Sequence, residues 1–213
     1  MKRKSLQGVA IIEFCFAMLI MVPLLLGTIG VGIQLIQQMQ TVQLARDAGR
    51  MYARGLDFAQ PGNKIILANL GADLGLQTDG TGNAVLILST VKYIDSTICP
   101  TGCTNYQHWV FERRLTVGNS NYRTSNLGSP LTSGPGAVTF DADGKVTVAD
   151  QTGNANDQAN FSATGNPFVN ALSPGVLNTL PSGQVLYVSE AASLGFTLPP
   201  FANGGMLYAF NVF

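Results

Sequence analysis

The sequence predicts an α+β protein: a long N-terminal transmembrane α-helix that extends out of the membrane, followed by a mostly antiparallel β extracytoplasmic domain with long loops. Two observations predict the helix. The twenty residues 14–33 carry no charge, and helical spacing of apolar residues continues beyond them. The β domain is predicted because, after Asp79, apolar residues cluster in short stretches separated by turn residues.

The first 36 residues have the pattern of a membrane span. Lys2, Arg3 and Lys4 precede an apolar run over 9–36, and the next basic residue is Arg46. A helix needs about 20 residues to cross a bilayer, and the positive-inside rule places this N-terminus in the cytoplasm. A cleaved secretory signal is disfavoured because its apolar region is about 7–15 residues long and ends in small residues. A lipoprotein signal is disfavoured because residues 12–14, before Cys15, are not small.

The boundaries follow from this pattern. We expect a leader at 1–8, a transmembrane helix at 9–36, a helical extension at 37–60 and an extracytoplasmic domain at 61–213. One helix from Val9 to about Gly55 would be on the order of 70 Å long. Its extension is predicted from helical spacing of Leu35, Met39, Val42, Gly49, Tyr52 and Leu56. The turn residues 60–62 end it, and Asn63 is the expected cap of a second, shorter helix.

Strands are predicted at 84–94, 107–117, 137–140, 145–148, 185–189 and 206–213. Within the second strand Trp109, Phe111 and Leu115 share parity, so we expect them on one face. Residues 141–144 read as the turn of a hairpin, and 119–135 and 152–181 as long loops.

Composition limits the function. The 12 basic and 12 acidic residues balance, which gives no electrostatic reason to expect nucleic-acid binding. No cofactor is indicated.

If the domain is exported, oxidation of Cys99 and Cys103 to a small disulfide loop is the default expectation, and Cys15 behaves as a small hydrophobe. A zinc site would need two further ligands, and only His108 is near.

Two other candidate sites have plainer explanations. His108 is the single histidine, so a Ser-His-Asp hydrolase would have to use it, yet its neighbours predict a strand. Asp141, Asp143 and Asp150 could bind calcium, but the spacing lacks the bidentate Glu of an EF-hand. A solvated turn is favoured there, and catalysis is not expected.

Glu13 is the informative residue. A carboxylate in a membrane segment is costly, about 2.5–3.5 kcal/mol at the helix centre and less near an end. Gly8 immediately precedes the apolar run, and cleavage between Gly8 and Val9 would leave a free amine on Val9. Glu13 of one subunit could then neutralise the amine of a neighbour when helices pack side by side. The plainer alternative is that Glu13 reaches the interface and does nothing else.

The stretch from Gly8 to Glu13 and Phe14 resembles the processing site of type IV pilins. The closer resemblance is to TadE-like minor pilins and pseudopilins of the tight-adherence (Tad) type IV pilus system. These share a basic leader, Gly, a short apolar stretch, Glu-Phe and an Ala-Arg-Glu-Gly-Ala-Arg-like segment, here residues 45–50. The resemblance covers residues 2–54, although 184–190 followed by 196–198 also looks like the family's distal strand and apolar turn. Many members have Glu or Arg near residues 30–32, where this chain is uncharged.

The resemblance implies a membrane-anchored minor pilin that assembles into or primes a pilus for secretion or adherence. Its implied partners are other pilin-like subunits, the inner-membrane platform of the pilus, a prepilin peptidase acting at Gly8 and Val9, and membrane lipid. Glu13 and Phe14 would serve subunit pairing. The implied location is the bacterial inner membrane, single-pass and extracytoplasmic at the C-terminus, or the pilus itself. The alternative is an unprocessed, membrane-tethered adhesin or assembly factor.

Overall fold

The computed structural model describes residues 6–100, 102–130, 137–147, 151–155, 158 and 183–213. The basic residues 2–4, Asp150 and most of the predicted loop 152–181 lie outside them. The described chain is a long helix followed by an antiparallel sheet domain, which confirms the predicted α+β class. Helix α1 spans Leu6–Ala53 and α2 spans Pro61–Leu70, with a 3₁₀ turn at Ala72–Leu74.

Helix α1 ends at Ala53, close to the expected end at about Gly55 and before the turn residues 60–62. Gly55 takes a left-handed conformation with φ 86°. The Gly55 N–H donates to the Tyr52 carbonyl at 2.9 Å, and the Leu56 N–H donates to Met51 at 3.1 Å. This pair of bonds satisfies carbonyls at the helix end, and glycine adopts the required φ at little cost.

Helix α2 begins before the predicted cap. Gln60 is the N-cap and Pro61 occupies the first turn, so the assignment of Asn63 as cap is wrong. Proline suits this position because its fixed φ is helical and its missing N–H would have no partner there. The Asn63 side chain instead donates to the Asp57 carbonyl at 2.7 Å, which ties α2 to the preceding turn.

All six predicted strands are present, and the fifth continues five residues beyond its predicted end at Ser189. Strand β1 is Ala84–Tyr93, β2 is Trp109–Gly118, β3 is Thr139–Phe140, β4 is Val146–Thr147, β5 is Val185–Leu194 and β6 is Met206–Val212. Four of them form an antiparallel sheet in the order β2-β1-β5-β6. Strands β3 and β4 pair as the expected hairpin.

A β-bulge in β2 corrects the predicted face of one residue. Phe111 pairs with Val91, but Arg113 pairs with the next residue, Thr90, so Glu112 is an extra residue. A one-residue insertion reverses the alternation beyond it. Trp109 and Phe111 therefore pack on one face, whereas Leu115 packs on the other, against α1.

Small and medium-sized residues of α1 pack against the sheet. Thr41, Leu44, Ala45, Ala48 and Tyr52 are buried there, against a core from β1, β2, β5 and β6. The residues predicted at helical spacing in the extension of α1 do not all face the sheet. Gly49 and Tyr52 do, but three apolar residues of that set are exposed: Leu35 (61%), Met39 (62%) and Val42 (42%).

Strand β5 runs back along α1 toward the apolar end of the helix. The rings of Tyr52 and Tyr187 meet edge to face. Closer to the N-terminus of α1, the Thr41 and Ser193 hydroxyls lie 2.9 Å apart. The loop after β2 and the β5–β6 loop consequently lie at the membrane end of the domain, and the β1–β2 loop lies at the far end.

Candidate functional site

The N-terminal end of α1 carries the predicted processing and pairing residues. Gly8 and Val9 lie within the helix, and Glu13 and Phe14 follow on its exposed surface, where Phe14 is 60% exposed. The structure thus places these residues on one continuous helix, with the sheet domain packed only further along it.

Helix α1 meets the length and composition requirements for crossing a membrane. It is the one helix that does so within the part of the chain that the structure describes, over Ala10–Ala53. Only 6% of its most apolar 18-residue stretch is buried. A core helix of a soluble domain would be covered on that face, so the structure is compatible with single-pass membrane anchoring.

Glu13 is exposed on this apolar surface. Among the described residues, no hydrogen bond or ion pair involves its carboxylate. An ionisable residue at membrane depth is costly unless it pairs or reaches water. The site therefore offers an acidic group that a cation from another molecule can neutralise.

The second segment of the predicted resemblance, residues 45–50, has a packing role. Ala45 and Ala48 are fully buried, and a Cβ added to Gly49 would lie 2.9 Å from the Ser189 Cβ on β5. These small residues let the sheet approach the helix closely. Arg46 and Arg50 alternate with them and point to solvent.

Residues 8–50 match the family model of TadE-like proteins. The matched range begins at the predicted processing site and ends in the helix segment that packs on the sheet, so it contains the Gly8–Phe14 stretch and residues 45–50. The basic residues 2–4 and the distal stretches 184–190 and 196–198 lie outside it. Over residues 8–50 the resemblance is confirmed, and the match points to a Tad pilus-associated protein. Comparisons with curated proteins and with solved structures found no match.

Beyond the TadE-like segment, Cys99 and Cys103 form a disulfide-bonded pair with Cα atoms 6.1 Å apart. Cys99 is fully buried beside Ile94 and Val110 at the far end of the sheet. Cys15 is a free, exposed thiol on α1. The pair closes a small loop within the β1–β2 connection, on the side of the domain away from the apolar helix.

The two weaker candidate sites have structural explanations. His108 is exposed just before β2, with its Nδ1 2.8 Å from the Tyr106 carbonyl oxygen. The Asp141 carboxylate accepts the N–H groups of Asp143 and Lys145 at 2.9 and 2.8 Å, which closes an exposed turn. Over the described ranges, no group of three or more His, Cys, Asp or Glu is placed to hold a metal ion.

Sequence reasoning missed a buried polar network on the sheet face opposite α1. Glu190 on β5 is 2% exposed. Its carboxylate accepts hydrogen bonds from the Asn126 N–H at 2.8 Å, from the Tyr208 hydroxyl at 2.7 Å and from the Ser125 hydroxyl. Burial is the main cause that raises the pKa of Tyr208, and Glu190 adds to it, so this hydroxyl remains a donor at neutral pH.

Arg114 completes the network. Its guanidinium donates to the Ser125 hydroxyl at 3.1 Å and to the Gly128 carbonyl at 2.6 Å. Burial lowers the pKa of Arg114 to about 10, and the nearby Glu190 carboxylate opposes that shift. The arginine is therefore still charged at neutral pH, and the network attaches the loop after β2 to the sheet. Only an isolated Glu in an otherwise uncharged strand hints at it in the sequence.

An open cavity of about 410 Å³ lies where α1 ends above β1, β2 and β5. Its polar side chains make structural contacts. Arg113 pairs with Asp57, and the Tyr52 hydroxyl lies 2.7 Å from the Thr90 hydroxyl. The Arg113 guanidinium is the main cause that lowers the pKa of Asp57, so this pair is charged at neutral pH.

Proposed function

We propose that this protein is a processed minor pilin or pseudopilin that joins or primes a Tad-type pilus. The observation that carries the proposal is Glu13, a carboxylate exposed on the apolar surface of a helix whose residues 8–50 match TadE-like proteins. The helix supplies the anchor, and the sheet domain, docked on its outer half, supplies the head. The role is structural rather than catalytic.

The proposed pairing requires a cation, and processing supplies it. A prepilin peptidase that cuts between Gly8 and Val9 leaves an α-amine that is positively charged below a pKa of about 8. In an apolar helix bundle this amine and the Glu13 carboxylate of a neighbour compensate each other. Partners are then other pilin-like subunits, delivered through the pilus platform in the inner membrane.

The variant Glu13→Leu tests the pairing. We expect it to be cut after Gly8 and to stay in the membrane, because a costly charge has been removed. We expect it to be lost from the filament or its initiating complex, since breaking a buried pair costs about 3–5 kcal/mol. The measurement is co-purification with sheared pili or crosslinked pilins, with intact mass reporting whether the chain begins at Val9.

Cys15→Leu is the matched control, because it alters an exposed, uncharged residue two positions away. It should enter the filament as the unaltered protein does. Normal incorporation of Glu13→Leu would remove the chemical basis of the proposal. Recovery of the unaltered protein with residues 1–8 still attached, in cells with an active prepilin peptidase, would favour the tethered-adhesin alternative.

A further inference from the structure

The β5–β6 loop, residues 195–205, binds α1 closer to the N-terminus of the helix than the rest of the domain does. The Gln34 side chain donates to the carbonyls of Phe196 at 3.2 Å and Asn203 at 3.4 Å. The Gln37 side chain accepts the Phe196 N–H at 2.6 Å. These glutamines hold both sides of the loop against α1.

The tip of the loop reaches the apolar run itself. A Cβ added to Gly30 would lie 3.2 Å from the Cβ of Ala202, so the loop and helix touch there. Leu198 and Ala202 exchange backbone hydrogen bonds at 2.8 and 2.7 Å, which close the tip. Between the Thr41–Ser193 contact and Gly30, the loop descends along the helix by about 16 Å.

This position is inside the outer boundary of the predicted span. The uncharged residues 14–33 have the length of one bilayer core, about 30 Å, and Gln34 is the first of several glutamines that follow. Gly30 then lies about 5 Å inside the end of residues 14–33 and about 9 Å inside the end of the predicted span 9–36. A loop in contact with Gly30 shares its depth.

The chemistry of the loop suits this depth. From residue 191 to residue 213 the chain has no Asp, Glu, Lys or Arg. Pro199 and Pro200 are exposed at the tip, and Leu194 (36%) and Met206 (38%) are exposed at its base. The other loops at this end of the sheet carry Asp79 and Arg123.

We propose that the 195–205 loop inserts into the outer leaflet of the bilayer, so that the head is held to the membrane by a lipid-facing surface as well as by its helix. The partner is a lipid surface, because the loop is continuous with the exposed apolar surface of the helix. The proposal rests on membrane anchoring alone and is independent of filament assembly.

The test places a polarity-sensitive fluorophore on the loop. In full-length protein carrying Cys15→Ser, Thr197→Cys supplies one free thiol, since Cys99 and Cys103 are bonded to each other. The matched control is Ser120→Cys, an exposed site at the same end of the sheet but on the loop after β2. Both proteins are reconstituted into phosphatidylcholine vesicles containing lipid spin-labelled near the headgroup or near the chain end.

We expect headgroup-region spin labels to reduce emission from the Thr197 position about twofold, because interfacial segments enter only about 5–10 Å. The Ser120 position is on a different loop, outside the proposed lipid-facing surface, and its emission should stay nearly unchanged. Near-ultraviolet signals from the buried Trp109 verify folding, and Asn203→Cys replaces Thr197→Cys if the latter does not fold. Equal quenching at both positions would overturn the proposal. An apolar environment that spin-labelled lipid does not quench would also overturn it, in favour of a second copy of the chain.

Discussion

The Glu190 carboxylate attaches one loop to the sheet through several donors. Ser125 and Asn126 belong to the loop after β2, and Tyr208 belongs to β6. The carboxylate therefore holds elements that are distant in the chain at one position on β5. An acceptor this well buried is costly to remove, because its donors lose their partners and cannot reach water.

Glu190→Leu should lower the free energy of unfolding by about 3–5 kcal/mol, because the buried Arg114 guanidinium loses the nearby opposite charge and the donors from Ser125, Asn126 and Tyr208 lose their acceptor. Denaturant unfolding of the full chain in detergent, followed through Trp109 emission, measures it. Glu112→Leu is the control: Glu112 is 31% exposed and 3.9 Å from Lys92, so we expect a loss below about 1 kcal/mol. Equal losses in the two variants would contradict the role assigned to the network.

Glu13 and Glu190 differ in how far the sequence predicts them. Glu13 stands out because its meaning is local: a glycine, a short apolar stretch and a carboxylate within a few residues. The role of Glu190 depends on a hydrogen bond from Ser125, which is 65 positions away, and no local sequence pattern predicts that contact. The candidate site at the N-terminus was therefore predictable, whereas the buried network required the fold.

At the scale of elements, α1 and β5 approach each other through Gly49. The glycine lies against the Ser189 Cβ and the ring of Phe213, so a methyl group has no room unless the strand moves. Glycine weakens a helix by about 1 kcal/mol relative to alanine, and here that cost is offset by the close packing it permits.

Gly49→Ala should therefore lower the free energy of unfolding, by about 1–2 kcal/mol, because overpacking outweighs the gain in helix propensity. Gly62→Ala on α2 is the matched control, since no atom lies within 4 Å of its added Cβ. It should leave stability unchanged or raise it by up to about 1 kcal/mol. A stabilising effect at Gly49 would mean that β5 is packed more loosely than the structure has it.

The disulfide at the far end of the sheet is a second element-scale feature. Replacing both Cys99 and Cys103 by Ser should cost about 2 kcal/mol, the low end of the usual range, because the closed loop is short. Mass mapping without prior reduction should find this pair bonded and Cys15 free. Three free thiols in freshly purified protein would contradict the assigned pairing or the export of the domain.

Elements were easier to predict than the faces they present. The end of α1 near Gly55, the positions of β1 and β6 and the first half of β5 followed from apolar patterning, which is a local property. The second half of β5 did not, because its small and polar residues lack that pattern. The face of Leu115 did not, because the bulge at Glu112 is defined only by pairing with β1. The sheet-facing side of α1 was likewise misjudged at Leu35 and Met39, since close approach selects small residues over large apolar ones.

At the scale of the whole molecule, the structure has a membrane end and a far end. The basic residues 2–4 precede α1, and the disulfide loop lies at the opposite end of the domain. The positive-inside rule then predicts that the domain is outside the cytoplasm.

A thiol-labelling experiment checks this orientation. With Cys15→Ser in the background, Ser120→Cys should react with a membrane-impermeant maleimide in intact spheroplasts. The Cys15→Ser background without Ser120→Cys is the control and should stay unlabelled. Labelling that occurs only after the membrane has been opened would show that the domain faces the cytoplasm.

The contacts of α1 with β5 and the 195–205 loop also determine how the molecule bears load. Contacts at Tyr52, Thr41 and Gln34 join the helix to the domain at successive heights, and β5 runs back along the helix between them. A pull along α1 therefore loads these contacts in shear, so that several must break together rather than one after another. Because helix and head are joined at these three heights, force applied to the helix is passed to the head through all of the contacts.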